Sequence, residues 1–172
     1  MKKKLLLLIY ILPFIVFSQQ KVFNITWQDY KTISNGNFSI EVPSFDEANF
    51  NYSLNDGLQF VAQWKINNLI DNRSATLSNV SYTTITKNEL KGIDLKTIPN
   101  QLKYSLDNSI ARDKRNANLI VSPIIKENGV YKKITAFTVN YNANARSIPS
   151  NTFRRETTNS VLNAGQWHRF YV

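Results

Sequence analysis

The segment from Ala117 to Tyr141 reads ANLIVSPIIKENGVYKKITAFTVNY and has Asn128-Gly129 near its middle. The runs on either side, 117–126 and 130–141, are rich in the β-branched and aromatic residues that favour strands. Asn and Gly both tolerate the positive φ angles of a type I′ turn. The segment therefore predicts a β-hairpin that turns at Asn128-Gly129.

Two further turn signals lie upstream of this segment. Asn35-Gly36 separates Tyr30–Ile33 from Phe38–Val42, and it predicts a second hairpin between those runs. Asp56-Gly57 directly precedes the apolar run Gln59–Ile66, and it predicts a third turn.

The hydrophobic period of the chain is two, as expected for strands with one buried and one exposed face. Three sets of alternating apolar residues follow this period: Phe23, Ile25 and Trp27; Phe60, Ala62, Trp64 and Ile66; Leu102, Tyr104 and Leu106. Residues 75–86 favour a strand by composition, whereas Gly92 and Pro99 limit any helix in 87–98 to a turn or two. The fold class predicted is all-β, an antiparallel β-sandwich of about eight strands in a domain covering residues 19–142.

Residues 1–18 have the composition of a cleaved signal peptide. Lys2–Lys4 precede an apolar run, Leu5–Phe17, and Ser18 ends a cleavage pattern before Gln19. Because the run is shorter than the ~20 residues of a membrane span, an uncleaved anchor is the weaker alternative. Cleavage predicts export through the inner membrane to the periplasm. It also lowers the net charge from +9 to +6, since three lysines are removed.

The C-terminal part of the chain has a different composition. Residues 143–164 are rich in Asn, Ser, Thr and Arg and contain Pro149, so they predict a linker or long loop. Residues 165–172 regain apolar character and predict the first strand of a following domain that is absent. On this interpretation the sequence is a fragment of a longer protein.

The residue types needed for most reaction chemistries are missing or isolated. The chain has no Cys and one His, His168, which excludes a disulfide framework, a thiolate metal site and a cysteine nucleophile. Asp46 and Glu47 are neighbours whose side chains point to opposite faces of an extended backbone, and Asp56 before Gly57 is explained as a turn former. We therefore predict no catalytic, cofactor-binding or metal-binding residue, and no cofactor.

Basic and aromatic residues leave two interpretations open, a solvated surface or a binding site for a polyanion or glycan. The basic groups are Arg112, Lys114 and Arg115, then Lys132 and Lys133, then Arg154 and Arg155. Export argues against nucleic acid as a partner. Trp27 and Trp64 lie on apolar stripes that favour the core over a sugar platform, whereas Trp167 and the neighbouring His168 favour no assignment beyond a surface or interface.

The order of several short motifs resembles the N-terminal region of the PorU family, the gingipain-like cysteine peptidases that act as surface sortases of the type IX secretion system in Bacteroidetes. The similar pieces are FSQQK at 17–21, ITW at 25–27, EVPSF at 41–45, FVAQWK at 60–65, LSNV at 77–80, ARD at 111–113, SPII at 122–125, NY at 140–141, ARS at 145–147 and SVL at 160–162, followed by Gly165, Trp167 and Phe170.

This resemblance implies a parent protein that removes C-terminal sorting signals from exported cargo. The family uses a Cys and a His of a downstream domain, so no catalytic residue carries over to this chain. The chain would be the non-catalytic β-domain that precedes the peptidase domain. Its partners would be that domain, with outer-membrane secretion components and cargo, and it would contact membranes only through partners. The alternative is a stand-alone exported β-sandwich that binds an anionic surface glycan or lipopolysaccharide.

Overall fold

The computed structural model describes residues 18–35, 38–111 and 114–143, and strands make up 67% of this part of the chain. Four short 3₁₀ turns connect some of the strands, at Glu47–Asn49, Asn72–Ser74, Asn88–Leu90 and Leu95–Thr97. The strands are β1 (Ser18–Asn24), β2 (Trp27–Asn35), β3 (Phe38–Phe45), β4 (Phe50–Ser53), β5 (Gly57–Lys65), β6 (Thr76–Ile85), β7 (Tyr104–Ala111), β8 (Lys114–Val121), β9 (Ile124–Glu127) and β10 (Val130–Asn142).

The strands form two four-stranded sheets and one separate hairpin. In the first sheet β10 is central, with β6 on one side and both β1 and β9 as its other partners. The second sheet has the order β4-β5-β8-β7, and β2 pairs with β3 alone. Every pairing is antiparallel. The predicted antiparallel β-sandwich is confirmed, with about ten strands where about eight were expected.

Aromatic rings join the two four-stranded sheets. Phe23 of β1 and Phe137 of β10 both pack on Phe60 of β5, with ring centroids 5.6 and 5.5 Å away. Phe23 and Phe137 also stack on each other at 5.3 Å. The core between the sheets therefore depends on strands that lie far apart in the sequence.

The turn predictions are confirmed where the structure describes them. Asn128 and Gly129 have φ angles of 51° and 81°, as a type I′ turn requires, and they join β9 to β10. The pairing of β2 with β3 is also as predicted, although Gly36 lies outside the described residues. Gly57 has φ 71° and begins β5 after the turn that follows β4.

Two predicted strands are each divided between sheets. The run 117–126 splits at Ser122-Pro123, because β8 pairs with β5 and β7 whereas β9 pairs with β10. Proline has no N–H for a sheet ladder, and here its carbonyl accepts the Ile134 N–H at 2.9 Å. The run 23–27 splits at Ile25, whose N–H donates to Thr135 of β10. These two crossings account for part of the difference in strand number.

The remaining segments agree with their local sequence. The predicted strand 75–86 is β6, and the segment 87–98 contains two separate 3₁₀ turns, as Gly92 and Pro99 suggested. Leu90, fully buried, anchors the first of these turns.

The terminal predictions concern residues that the structure leaves undescribed. Residues 1–17 of the signal peptide, nearly all of the 143–164 linker and the 165–172 strand lie outside the described residues. Within the described part, no helix is long and apolar enough to cross a membrane.

Candidate functional site

Acidic side chains of the described residues hold local structure together. Asp46, Asp71 and Asp94 each accept a backbone N–H at the start of a 3₁₀ turn, and Asp56 bonds Ser53 within the β4–β5 turn. The others with such contacts are Glu41 with Lys91, Glu47 with Lys31, Glu89 with Thr86, Asp107 with Asn72 and Glu127 with Lys132. These roles explain these nine carboxylates without catalysis, and Asp29, the other acidic residue of the described part, is exposed on β2.

Asp46 and Glu47 bond different partners, but they lie at the start of a 3₁₀ turn and not on the extended backbone that the sequence predicted. The Asp46 carboxylate caps its turn at 3.0 Å from the Ala48 nitrogen, whereas Glu47 forms an exposed ion pair with Lys31 at 2.6 Å. The hydrogen bond and charge of Lys31 lower the pKa of Glu47. In the described part of the chain, no three His, Cys, Asp or Glu side chains are grouped closely enough to hold a metal ion.

The basic residues have local partners of their own. Lys132 pairs with Glu127 at 2.6 Å, while Lys133 lies over the Trp27 ring at 5.2 Å, so the two neighbouring lysines lie in different environments. Arg115 donates to the Asn67 carbonyl at 2.7 Å. Arg112, Arg154 and Arg155 lie outside the described residues.

Trp27 and Trp64 both pack against the core, in agreement with their positions on apolar stripes. Trp27 Nε1 donates to the Ile134 carbonyl at 2.7 Å, and Trp64 Nε1 donates to the Tyr141 hydroxyl at 3.2 Å. Neither ring is a free platform for a sugar. Trp167 and His168 lie outside the described residues.

A polar cleft of about 510 Å³ lies at one end of the second sheet. Its walls come from the β4–β5 turn, the 96–99 segment and the start of β7, and the exposed Ile120 of β8 lines it as well. Clefts of this size are large enough for small ligands. We name it the β7 cleft, and its main lining residues are Gln59, Lys96, Lys103, Tyr104, Ser105 and Ile120.

Close packing of two turns shapes the β7 cleft. A Cβ atom at Gly57 would meet the Thr97 side chain at 2.2 Å, so glycine is needed where the β4–β5 turn touches the 95–97 turn. Asp94 caps that turn through the Lys96 N–H at 3.0 Å, and the Thr97 hydroxyl donates to the Asp94 carbonyl at 2.7 Å. The turn therefore holds the backbone of Lys96 beside the sheet.

The chemistry of the β7 cleft is suited to binding. Tyr104 is 37% exposed, and its hydroxyl donates to the Ala75 carbonyl at 3.1 Å, which fixes the ring. Ammonium groups of Lys96 and Lys103 can attract an anion, against the single carboxylate of the lining, Asp56, which accepts a hydrogen bond from Ser53. Amide and hydroxyl groups of the lining can bond sugar hydroxyls. Sequence reasoning missed this cleft because its walls come from four segments, of which only Lys103-Tyr104 stands out as a basic and aromatic pair.

Comparisons with known proteins identify no family for this chain. No family model matches it, and no curated protein matches it. Among solved structures, a complex of the pro- and mature domains of RgpB from Porphyromonas gingivalis matches with a TM-score of 0.45 and 11% identity. The match covers 75% of this chain and 79% of that one. A likeness at this level decides neither family nor function.

Proposed function

We propose that this chain is the non-catalytic N-terminal β-domain of a type IX secretion sortase, docked on a gingipain-like cysteine peptidase domain of the same polypeptide. One observation supports the statement that the domain is non-catalytic. The carboxylates described above cap turns, form surface ion pairs or accept local hydrogen bonds, and the sequence has no Cys and one His. The order of short motifs from 17 to 170 supports the parent family.

A domain without reacting groups contributes through binding and positioning. Its sandwich is held by aromatic contacts between distant strands, which gives a firm surface for a partner domain. The removal of residues 1–18 and export to the outer-membrane surface belong to the same proposal. There the parent would meet secretion components and cargo, and membrane contact would come through those partners.

An immunoblot tests the proposed parent. An antibody against residues 19–142 should detect a cell-surface protein much larger than 19.8 kDa, and a thiol-reactive peptidase probe should label that same protein. The Cys of the peptidase domain is the expected target, because this chain has none. A product of 19.8 kDa or less that the probe leaves unlabelled would overturn the proposal.

Mass spectrometry of the N-terminus tests export. Cleavage of the signal peptide should give a protein that begins at Gln19. Recovery of peptides from 1–18 on the exported protein would instead identify an uncleaved anchor.

The β7 cleft favours a second candidate function, a stand-alone exported β-sandwich that binds an anionic surface glycan. Lys96 and Lys103 outnumber Asp56 among the charged residues of the lining, and with a ring and several hydroxyl groups they suit an acidic sugar. Binding to purified lipopolysaccharide should then weaken as salt rises, and Lys103→Gln should weaken it while Lys65→Gln, a lysine of β5 outside the cleft lining, should not. An absence of binding at low salt would eliminate this candidate.

A further inference from the structure

β6 is a long edge strand with no charged residue. Its sequence from Thr76 to Ile85, TLSNVSYTTI, also lacks Pro and Gly. Within the described residues its only strand partner is β10. An exposed sheet edge of this kind is a template for pairing with another strand, and natural proteins usually block it with charges, Pro or a bulge.

The other edge strands show such protection. β1 contains Lys21, β7 contains Asp107, and β2 contains Asp29 and Lys31. β3 contains Glu41 and Pro43, and β4 has four residues only. The pairing of β6 with β10 has two irregularities, one at Asn79 with φ 51° and one between Ser81 and Tyr82, whereas Tyr82 to Ile85 pair with β10 in uninterrupted register.

The second half of β6 is open on both faces of the sheet. Ser81, Tyr82, Thr83 and Thr84 are four consecutive exposed residues, and consecutive strand residues point to opposite faces. Tyr82 is 38% exposed although it is a large aromatic residue. This half of the strand can therefore accept a neighbour without displacing any described residue.

We propose that the second half of β6 pairs antiparallel with β6 of a second copy of this chain. A two-fold axis perpendicular to the sheet keeps each face on its own side, and it makes the contact surface the same in both copies. With the axis at Tyr82, the two Tyr82 rings lie opposite each other. Thr83 then lies opposite Ser81 of the other copy, and Thr84 lies opposite Val80.

The Tyr82–Tyr82 pair and the Thr83–Ser81 pair are favourable. Aromatic pairs and hydroxyl pairs stabilise antiparallel strands, and like charges directly opposite each other would oppose them. The nearby Lys132 lies over the Tyr82 ring at 6.0 Å, but its charge is compensated by Glu127 at 2.6 Å. The self-complementary pattern favours a second copy over a charged partner strand, and this inference is independent of the proposed function.

Sedimentation equilibrium tests the pairing on the protein in the form that its cells produce. The average mass should rise from one copy toward two over about three decades of concentration, since association follows mass action. Thr83→Glu, which lies opposite Lys133 of β10 in its own chain, should weaken the dimer by ~tenfold or more by putting a charge at the pairing edge. Thr32→Lys is the matched control, because Thr32 is an exposed strand residue opposite Glu41, and it should leave the dimer unchanged.

A cysteine cross-link gives an independent measurement on the mature protein. The unsubstituted protein shows how much cross-linking comes from any cysteine outside this chain. Because this chain has no Cys, Tyr82→Cys introduces one thiol that the two-fold axis places opposite its own copy. Disulfide-linked dimer should form ~tenfold faster than for Thr32→Cys at equal concentration, since a disulfide needs Cα atoms within about 7 Å. Equal rates, a protein that stays monomeric, or a dimer unaffected by Thr83→Glu would each overturn the proposal.

Discussion

Two regions of the molecule bury aromatic rings in different ways. In the interior between the four-stranded sheets, Phe23, Phe60 and Phe137 come from strands separated by long stretches of chain. The β2–β3 hairpin instead pairs within one local segment, and Trp27 and Phe45 at its open end contact each other at 5.2 Å.

The hairpin joins the rest of the molecule through a few specific contacts. Phe45 reaches Phe60 at 5.9 Å, Trp27 bonds the Ile134 carbonyl, and the Gly92 N–H donates to the Glu41 carbonyl at 2.8 Å. We infer that damage to the interior unfolds the whole sandwich. Damage to an attachment contact should release the hairpin first, because stability is not uniform across a structure.

The largest effect is expected for Phe137→Ala in the interior. Phe137 is 1% exposed and contacts rings of both sheets, so its truncation leaves a cavity and should cost about 3–5 kcal/mol of unfolding free energy. Urea unfolding followed by circular dichroism measures this loss. Val22→Ala on β1 of the same sheet is the control, because Val22 is 65% exposed and its change should stay within about 0.5 kcal/mol. Similar losses for the two variants would contradict a shared interior.

Gly92→Ala should have the next largest effect, and a local one. A Cβ atom at Gly92 would lie 2.8 Å from Ile40 Cβ and 3.1 Å from the Glu41 carbonyl oxygen, so the hairpin must move away. We expect a cost of about 1–3 kcal/mol, typical of overpacking. Hydrogen exchange should accelerate in β3 while β10 stays protected. Equal acceleration in both strands would show that the hairpin and the sandwich open together.

The same contrast explains what could be predicted from the sequence. Predictions that depend on neighbouring residues alone were confirmed. They are the turns at Asn128-Gly129 and Asp56-Gly57 and the alternation from Phe60 to Trp64. The β2–β3 pairing was correct in its partners for the same reason. It contains a bulge opposite Pro43, where the Ser44 hydroxyl donates to the Asp29 carbonyl.

Features that depend on distant residues were missed. Pro123 marks the point at which the chain leaves one sheet for the other, since proline cannot donate to a sheet ladder. The partners of β8 and β9 on either side of it depend on distant strands, which local composition does not reveal. The β7 cleft likewise combines the β4–β5 turn with Lys103 and Tyr104, some fifty residues away. We predicted no functional site because the required residue types are missing or isolated in the sequence. A site that is assembled by packing, such as the β7 cleft, cannot be recognised from local sequence.

Trp27→Phe should have a smaller effect at another attachment contact of the hairpin. Phenylalanine keeps the ring beside Phe45 but leaves the Ile134 carbonyl without its 2.7 Å bond, so we expect a loss of about 1 kcal/mol. Trp64→Phe is the control, because its 3.2 Å bond is to the Tyr141 hydroxyl, which can rotate to another partner. Thermal unfolding of both variants measures the difference. A greater loss for Trp64→Phe would show that the indole bond does not help attach the hairpin.

The smallest effect is expected for Glu89→Gln in the turn that contacts β3. The Glu89 carboxylate accepts the Thr86 N–H at 2.7 Å and the Thr86 hydroxyl at 2.6 Å, and these bonds lower the pKa of Glu89 below 4.5. Because the folded-state pKa is depressed, this stabilisation is present at neutral pH and is lost as pH falls through the lowered pKa.

The Tm of wild type should therefore exceed that of Glu89→Gln slightly at neutral pH. The difference should begin to shrink as pH falls below about 4.5, because the unfolded chain takes up its proton first, and it should disappear below the lowered pKa, where Glu89 is uncharged like glutamine. Melting curves of both proteins between about pH 3 and 7 measure this trend. Glu47→Gln, which loses the exposed ion pair with Lys31, is the matched control, and its difference should also disappear in high salt. A difference for Glu89→Gln that grew on acidification would show that the charge of Glu89 destabilises the turn, and the hairpin would then be attached near Leu90 by the buried leucine and the Gly92–Glu41 bond without help from Glu89.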